Sequence, residues 1–177
     1  RTDANGHVSV IGNGWTEDLD RGAWIYVENE KAVRDGIKQI GNSKYVFSNY
    51  YMYENKTYFD SINKKYYLIQ QGGAIYENPG WKDLYGSWYY VKGDGTLYTG
   101  VLNDGGHTYY MNPHMVHNAQ IVVTEDGKNY LADKNGYLIE ITSDGFYQGE
   151  DGKVYYVKQG KLSKKTWESI NGDWYYF

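Results

Sequence analysis

Short runs that alternate aromatic or aliphatic residues with polar ones, each followed by a turn rich in Gly, Asn or Asp, recur along the whole chain. The clearest copy is Gly80–Gly100, GWKDLYGSWYYVKGDGTLYTG. Within it, Trp88-Tyr89-Tyr90-Val91 is a β-favouring run, Lys92-Gly93-Asp94-Gly95 reads as a turn, and Thr96-Leu97-Tyr98 reads as a returning strand, so the unit is predicted to be a β-hairpin. Taking the doublet Tyr89-Tyr90 as a register mark, the pattern recurs at Ile25-Tyr26, Tyr45-Val46, Tyr66-Tyr67, Tyr109-Tyr110, Tyr130-Leu131, Tyr155-Tyr156 and Tyr175-Tyr176, with steps of 20, 21, 23, 20, 21, 25 and 20 residues. A period of this length marks stacked supersecondary units, each too small to bury its own apolar face. The expected fold is therefore all-β, a β-solenoid of about eight stacked hairpin repeats of 20–25 residues. Val33, Ile75, Leu138 and Leu162 fall on the return leg as inward anchors. Residues 1–14 are expected to form an N-terminal entry strand or cap, with the strand at His7–Ile11, and residues 15–177 a single array. Glu28–Asp35, the one stretch of helical composition, is cut short by Gly36 and is expected to be an enlarged turn.

Composition changes this picture in one respect. Leu, Ile, Val and Phe number only 35 of 177, whereas the chain carries 22 Tyr and 6 Trp. Each such ring can bury roughly 150–250 Å² and keep a polar tip for water or a ligand, so folding and binding draw on the same residues. The net charge of −4 is mixed along the chain and gives no reason to expect nucleic acid or an anionic membrane as a partner. No apolar run approaches the roughly 20 residues of a membrane span, so membrane insertion is not expected. The chain starts at Arg1 and stops within a repeat, which suggests a mature product or an excised piece of a longer protein.

Candidate chemistry is sparse. With no Cys there is neither a disulfide framework nor a thiolate metal site. His107, His114 and His117 share one repeat, but their spacing puts one before a strand and two in a turn, not a converging ligand set. Asp3-Ala4-Asn5-Gly6 and Asp133-Lys134-Asn135-Gly136 begin like calcium loops and then lose the later ligand positions, so both read as turns. Asn55-Lys56-Thr57 is formally a glycosylation sequon. No nucleophile triad, phosphate loop or zinc motif is present, and the carboxylates are scattered over turns; a non-enzyme without cofactor or metal is expected.

The pattern G-W-x5-G-x-W-Y-Y resembles the cell-wall-binding and choline-binding repeats of Gram-positive surface proteins. The last copy, Trp167-Glu168-Ser169-Ile170-Asn171-Gly172-Asp173-Trp174-Tyr175-Tyr176-Phe177, is equally similar to the glucan-binding repeats of glucansucrases and to clostridial toxin tails. The resemblance runs from about Trp15 onward and implies a β-solenoid of hairpins in a secreted or cell-surface Gram-positive protein. In the choline-binding version, the Trp of G-W, the Trp before the doublet and an aromatic of the next unit cage a quaternary ammonium by cation–π attraction. Here both Trp occur as Trp81 with Trp88, as Trp167 with Trp174 and, at a looser spacing, as Trp15 with Trp24. Counting eight residues back from the doublet puts Ile37, Tyr58, Val101, Val122 and Tyr147 at the G-W position of the other repeats, and Lys44 and Lys65 precede two doublets. A carbohydrate asks for less than a cage, since an exposed ring and a few hydrogen-bonding groups make a weak site and repetition supplies avidity. The expected ligand is therefore a polysaccharide, glucan or cell-wall glycan, held by Trp81, Trp88 and Tyr90, by Trp167, Trp174 and Tyr176, and by Trp15 and Trp24. A choline-binding anchor is one alternative, and a structural spacer or protein-binding adhesin whose Trp are all core is another.

Overall fold

A computed structural model describes residues 12–150 and 152–177. The expected entry strand and the Asp3–Gly6 turn lie outside the described residues. Every regular element among those residues is a β-strand, and the strands make eight small antiparallel sheets in which each strand pairs only with its neighbour in sequence. The hairpins are Gly14–Asp18 with Ala23–Glu28, Gly36–Ile40 with Ser43–Ser48, Lys56–Asp60 with Lys65–Ile69, Gly80–Leu84 with Ser87–Val91, Gly100–Asp104 with His107–Met111, Gln120–Val123 with Asn129–Ala132, Gly145–Gln148 with Val154–Lys158, and Trp167–Ile170 with Asp173–Tyr176. The chain divides into two compact units, Arg1–Leu84 with Val91–Leu97, and Tyr85–Tyr90 with Tyr98–Phe177.

All eight doublets lie on the second strand of a hairpin, but the main partner of that strand precedes it. The predicted hairpin turn at Lys92–Gly95 is instead a short loop, closed by a bond from the Lys92 N–H to the Thr96 carbonyl. The return leg meets the doublet strand at a single bridge, Val91 to Leu97. In most other repeats it is short as well: Val27 faces Ala32, Phe47 faces Met52, Ile69 faces Ile75, Met111 faces Met115 and Val157 faces Leu162, whereas in the sixth Leu138–Ile141 is a full strand that pairs with Asn129–Ala132 at four positions, Ala132 facing Leu138. The first anchor is thus Ala32 in place of Val33, whose N–H bonds the Tyr26 carbonyl instead. Ile75, Leu138 and Leu162 are where the pattern put them.

These bridges locate the core. The residue after the doublet is deeply enclosed in seven repeats: Val27, Phe47, Ile69, Val91, Met111, Ala132 and Val157 are at most 3% exposed, and where the doublet's second member is aliphatic, at Val46, Leu68 and Leu131, it is enclosed as well. Period-2 alternation explains this, because the doublet has one ring on each side of the strand and the third residue returns to the inner face. Return-leg anchors then cover that face. The anchor also reaches the preceding hairpin, for the N–H of Ile75 bonds the Lys44 carbonyl, that of Leu97 the Tyr66 carbonyl and that of Met115 the Trp88 carbonyl.

The bridging also corrects the register. In the third hairpin Ile69 meets its anchor, so the equivalent doublet is Tyr67-Leu68, not Tyr66-Tyr67. The residues cross-strand from the second doublet member are Ile121 and Phe146 in the sixth and seventh hairpins, one before the expected Val122 and Tyr147, and Thr57 in the third. A fixed offset of eight holds only where two residues connect the strands, as at Gly41-Asn42 and Gly105-Gly106. Longer connections, such as 61–64 in the third hairpin, shift it.

Glu28–Asp35 is a tight turn followed by the strand Lys31–Ala32. Asn29 and Glu30 both have positive φ (51° and 62°), as do Asn49 and Tyr50 and again Gln159 and Gly160, the type I′ pattern that suits right-twisted strands. Left-handed conformations are costly for Glu and Tyr. A side chain one residue before the hairpin's first glycine supports each turn: Asn13 accepts from the Glu30 N–H, Asp35 from that of Asn49, and Asp144 from those of Gln159 and Gly160.

Two outcomes follow from this packing. Ile69→Ala, at the closed centre of a three-part contact, should lower stability by about 2–5 kcal/mol in urea unfolding. The bonds from Gln159 and Gly160 hold the Asp144 carboxyl below its usual range, and Thr96, chiefly through its hydroxyl, does so for Asp94. A carboxylate depressed in the folded state contributes stability above its unfolded pKa of about 3.9, and that contribution drains away as pH falls through the lower folded value. The urea midpoint should therefore drop from pH 5 to pH 2, with a shallower fall in Asp144→Asn.

Candidate functional site

The first two hairpins bring together a set of rings that are distant in sequence. Trp15 stands cross-strand from Tyr26, with ring centroids 5.1 Å apart. Trp24 lies two positions before Tyr26 on the same strand face and meets Trp15 edge to face, at 6.5 Å and 83°. From the second hairpin, Tyr45 approaches Trp15 to 4.8 Å at 67°, and Phe47 stacks beside it at 5.9 Å and 25°. The result is an open groove of about 400 Å³ lined by Trp15, Trp24, Tyr45, Met52, Glu54 and Gly72. A smaller groove of about 170 Å³ shares Trp24, Met52 and Glu54 with it and adds Gly22, Ala23, Tyr53 and Lys56. The Lys56 ammonium lies 4.3 Å above the Tyr53 ring.

Met52 forms part of the groove because of a glycine. Gly73 has φ +81°, and a Cβ there would overlap the Met52 thioether. Gly136 stands in the same relation to Met115, with φ +89° and the thioether sulfur 2.7 Å from where a Cβ would be. Both glycines precede a return anchor by two residues, so the close approach belongs to the repeat.

Lysine before the doublet has a different role. Lys44 pairs with Glu77 at 2.6 Å, just beyond the next repeat's return anchor, and Lys65 pairs with Asp94 at 3.3 Å, in the loop that precedes the next repeat's return leg. Glu77 raises the Lys44 pKa, chiefly through their hydrogen bond. These positions tie neighbouring repeats together where Trp24 instead presents a ring.

The other expected site residues differ in exposure. Trp167 and Tyr176 face each other across the last hairpin at 5.3 Å on an open surface, and Trp174 is exposed beside them. Trp88 is 44% exposed, Trp81 is half-buried, and Tyr90 is half-buried with its ring edge-on to Tyr98 at 6.3 Å. Between the fifth and sixth hairpins, a groove of about 410 Å³ holds Val101, Tyr110, Tyr130, Thr124, Glu125 and Asp126, where an aliphatic side chain occupies the G-W position. No group of three or more His, Asp or Glu that could hold a metal ion occurs among the described residues. His107 stacks flat on Tyr137 at 3.8 Å and lies 3.2 Å from Glu150.

No protein-family model matches the chain. It is 26% identical over 93% of its length to Glucosyltransferase-S of Streptococcus mutans, and 34% identical over 49% of its length to Glucosyltransferase-I of Streptococcus downei. Among solved structures, choline binding protein F of Streptococcus pneumoniae superposes on 86% of the chain with a TM-score of 0.53 and 27% identity. By sequence and fold the chain is similar to hairpin-repeat proteins of the choline-binding and glucan-binding type. It spans 13% of the first glucosyltransferase, 5% of the second and 49% of choline binding protein F.

In this repeat protein, sequence patterning found Trp15 and Trp24 but missed Tyr45, Met52, Glu54 and Gly72. One signal was present, since Tyr45 opens the next doublet and supplies the following repeat's aromatic. Met52 and Glu54 carry none before the return leg is placed correctly. Trp15, Trp24, Trp88, Trp167 and Trp174 are 36–67% exposed, so iodide should quench most of the Trp fluorescence; quenching confined to a small fraction would mean the rings are buried.

Proposed function

We propose that this chain is a non-catalytic attachment module that holds a secreted or cell-surface protein of a Gram-positive bacterium on carbohydrate, either glucan or cell-wall glycan. The observation that carries this reading is the repeated display of exposed rings at equivalent hairpin positions: Trp15 and Trp24, Trp88, and Trp167 with Trp174 and Tyr176. A ring left exposed costs folding energy that burial would recover, whereas a flat apolar face with polar neighbours suits the face of a sugar. The single array expected over residues 15–177 would carry several such faces, and weak sites repeated along one chain gain through effective concentration. Within each compact unit the hairpins wind as a β-solenoid, a reading supported by the anchor amides that bond back to the preceding hairpin. Trp81 and Tyr90 join Trp88 as candidate contacts in the fourth repeat. Likeness to streptococcal glucosyltransferases over most of the chain supports glucan as the ligand class.

A second reading is favoured at one place. The groove between the first and second hairpins has aromatic walls from Trp15, Trp24 and Tyr45, an apolar edge in Met52 and a carboxylate in Glu54, all of which suit an organic cation such as choline. The likeness to choline binding protein F agrees with it.

Co-sedimentation with insoluble α-glucan and, in parallel, with Gram-positive cell walls separates the readings. Retention on glucan that free choline does not compete is expected, with Trp167→Ala and Trp24→Ala each weakening it. Retention on walls alone, released by choline, would put the cation reading first, and Trp15→Ala should then cost about 0.5–2 kcal/mol in choline affinity. Retention on neither would leave a structural spacer or protein-binding adhesin.

A further inference from the structure

We propose that the groove between the first and second hairpins takes a hexosamine with a free amino group, its ring against the indoles and its ammonium paired with Glu54. This deepens the carbohydrate-attachment reading and rests on it. The argument begins with Glu54. Nearby carboxylates are engaged: Asp18 accepts from the Tyr51 hydroxyl, Glu28 pairs with Lys38 at 2.6 Å, and Glu77 pairs with Lys44. Glu54 has no hydrogen-bond or ion-pair partner among the described residues, yet it lines both grooves. Lys56, on the smaller groove, is held over the Tyr53 ring and makes no ion pair with Glu54. A free carboxylate therefore stands between an aromatic box and a polar extension.

Three ligand chemistries would use that arrangement differently. A neutral sugar would stack on Trp15 or Trp24 and gain only ordinary hydrogen bonds from Glu54. A quaternary ammonium would be attracted to the rings and the carboxylate, but it has no N–H to donate. A protonated amino sugar uses both features, because its ring supplies the flat face and its ammonium donates charge-assisted hydrogen bonds to the carboxylate. The near-perpendicular indoles, at 83°, offer one face for stacking while the other closes the side. A groove of about 400 Å³ lies within the size range of small-ligand sites, and the adjoining groove of about 170 Å³ gives the next residue of an oligomer a path towards Lys56. N-acetylation would remove both the charge and two of the three donors, which makes it the informative comparison.

The test is a Trp-fluorescence titration of the whole chain with four probes: β-1,4-linked glucosamine tetramer, its fully N-acetylated counterpart, a glucose tetramer, and choline. The glucosamine tetramer should bind about tenfold tighter than either other tetramer, the size of one charge-assisted hydrogen bond. That preference should fade with added salt and at a pH above that of the amine's titration. It should also vanish in Glu54→Gln, whose thermal midpoint should match the parent because Glu54 makes no bond among the described residues. Equal affinity for all three sugars would overturn the proposal while leaving the attachment reading intact. Binding of choline but of no sugar would overturn it in favour of a quaternary ammonium. A preference that survives in Glu54→Gln would overturn the role of Glu54. Silence of all four probes in a protein that still sediments with glucan would overturn it for this groove, whereas failure to sediment with glucan or walls as well would remove the attachment reading too.

Discussion

Each hairpin in this chain is too small to stand alone, and the third, fourth and fifth are each tied by a backbone hydrogen bond to the repeat before. The anchor amides of Ile75, Leu97 and Met115 bond the carbonyls of Lys44, Tyr66 and Trp88, which lie just before the preceding doublets. In these three repeats the return leg meets its own hairpin at a single bridge, whereas in the sixth, Leu138–Ile141 pairs at four residues. The hydrogen bond also brings the anchor side chain onto the residue that follows the doublet, at the dry centre formed by Ile69, Val91 and Met111. Isolated two-stranded hairpins are marginal in water, and here the third leg provides both the covering apolar surface and the link between repeats.

The same geometry decides what each repeat can offer a ligand. The residue before the doublet sits where the next repeat's return leg arrives. In the second repeat a lysine there meets the arriving carboxylate, Lys44 with Glu77, and in the third Lys65, one residue further back, pairs with Asp94. Surface ion pairs of this kind contribute little stability each, and their clearer consequence is to close the position to a ligand. Where the residue is Trp24, no such pair forms and the ring faces Trp15 across an open groove. The repeats are therefore alike in their backbone and uneven in their chemistry: aromatic with a carboxylate at the first groove, Tyr with Glu125 and Asp126 at the fifth and sixth hairpins, and open indoles at the last hairpin.

Much of this could be read without coordinates. The doublets have a near-constant period, each lies on the strand expected of it, and Ile75, Leu97, Leu138 and Leu162 return inward as their spacing requires. Alternation is a local property, and a strand with one face towards a core enforces it residue by residue. Trp15, Trp24, Trp88, Trp167 and Trp174 could likewise be singled out, because a large ring at a repeated position is visible in the sequence alone.

Tertiary structure decided the rest. Which strand forms the main hairpin partner could not be read from alternation, since both neighbours of the doublet strand alternate; the bond from the anchor to the previous repeat resolves it. The register of the third, sixth and seventh hairpins depends on connection length, and one extra residue exchanges the two faces of a strand. The third wall of the first groove comes from the next hairpin, its floor from Met52 admitted by Gly73, and its charge from Glu54, which has no ion-pair partner among the described residues. The sequence by itself determined the repeat and the rings it displays, because both follow from short-range periodicity. Only the folded chain determined which rings converge, because that depends on contacts between residues about thirty to sixty positions apart, whose geometry is set by stacking.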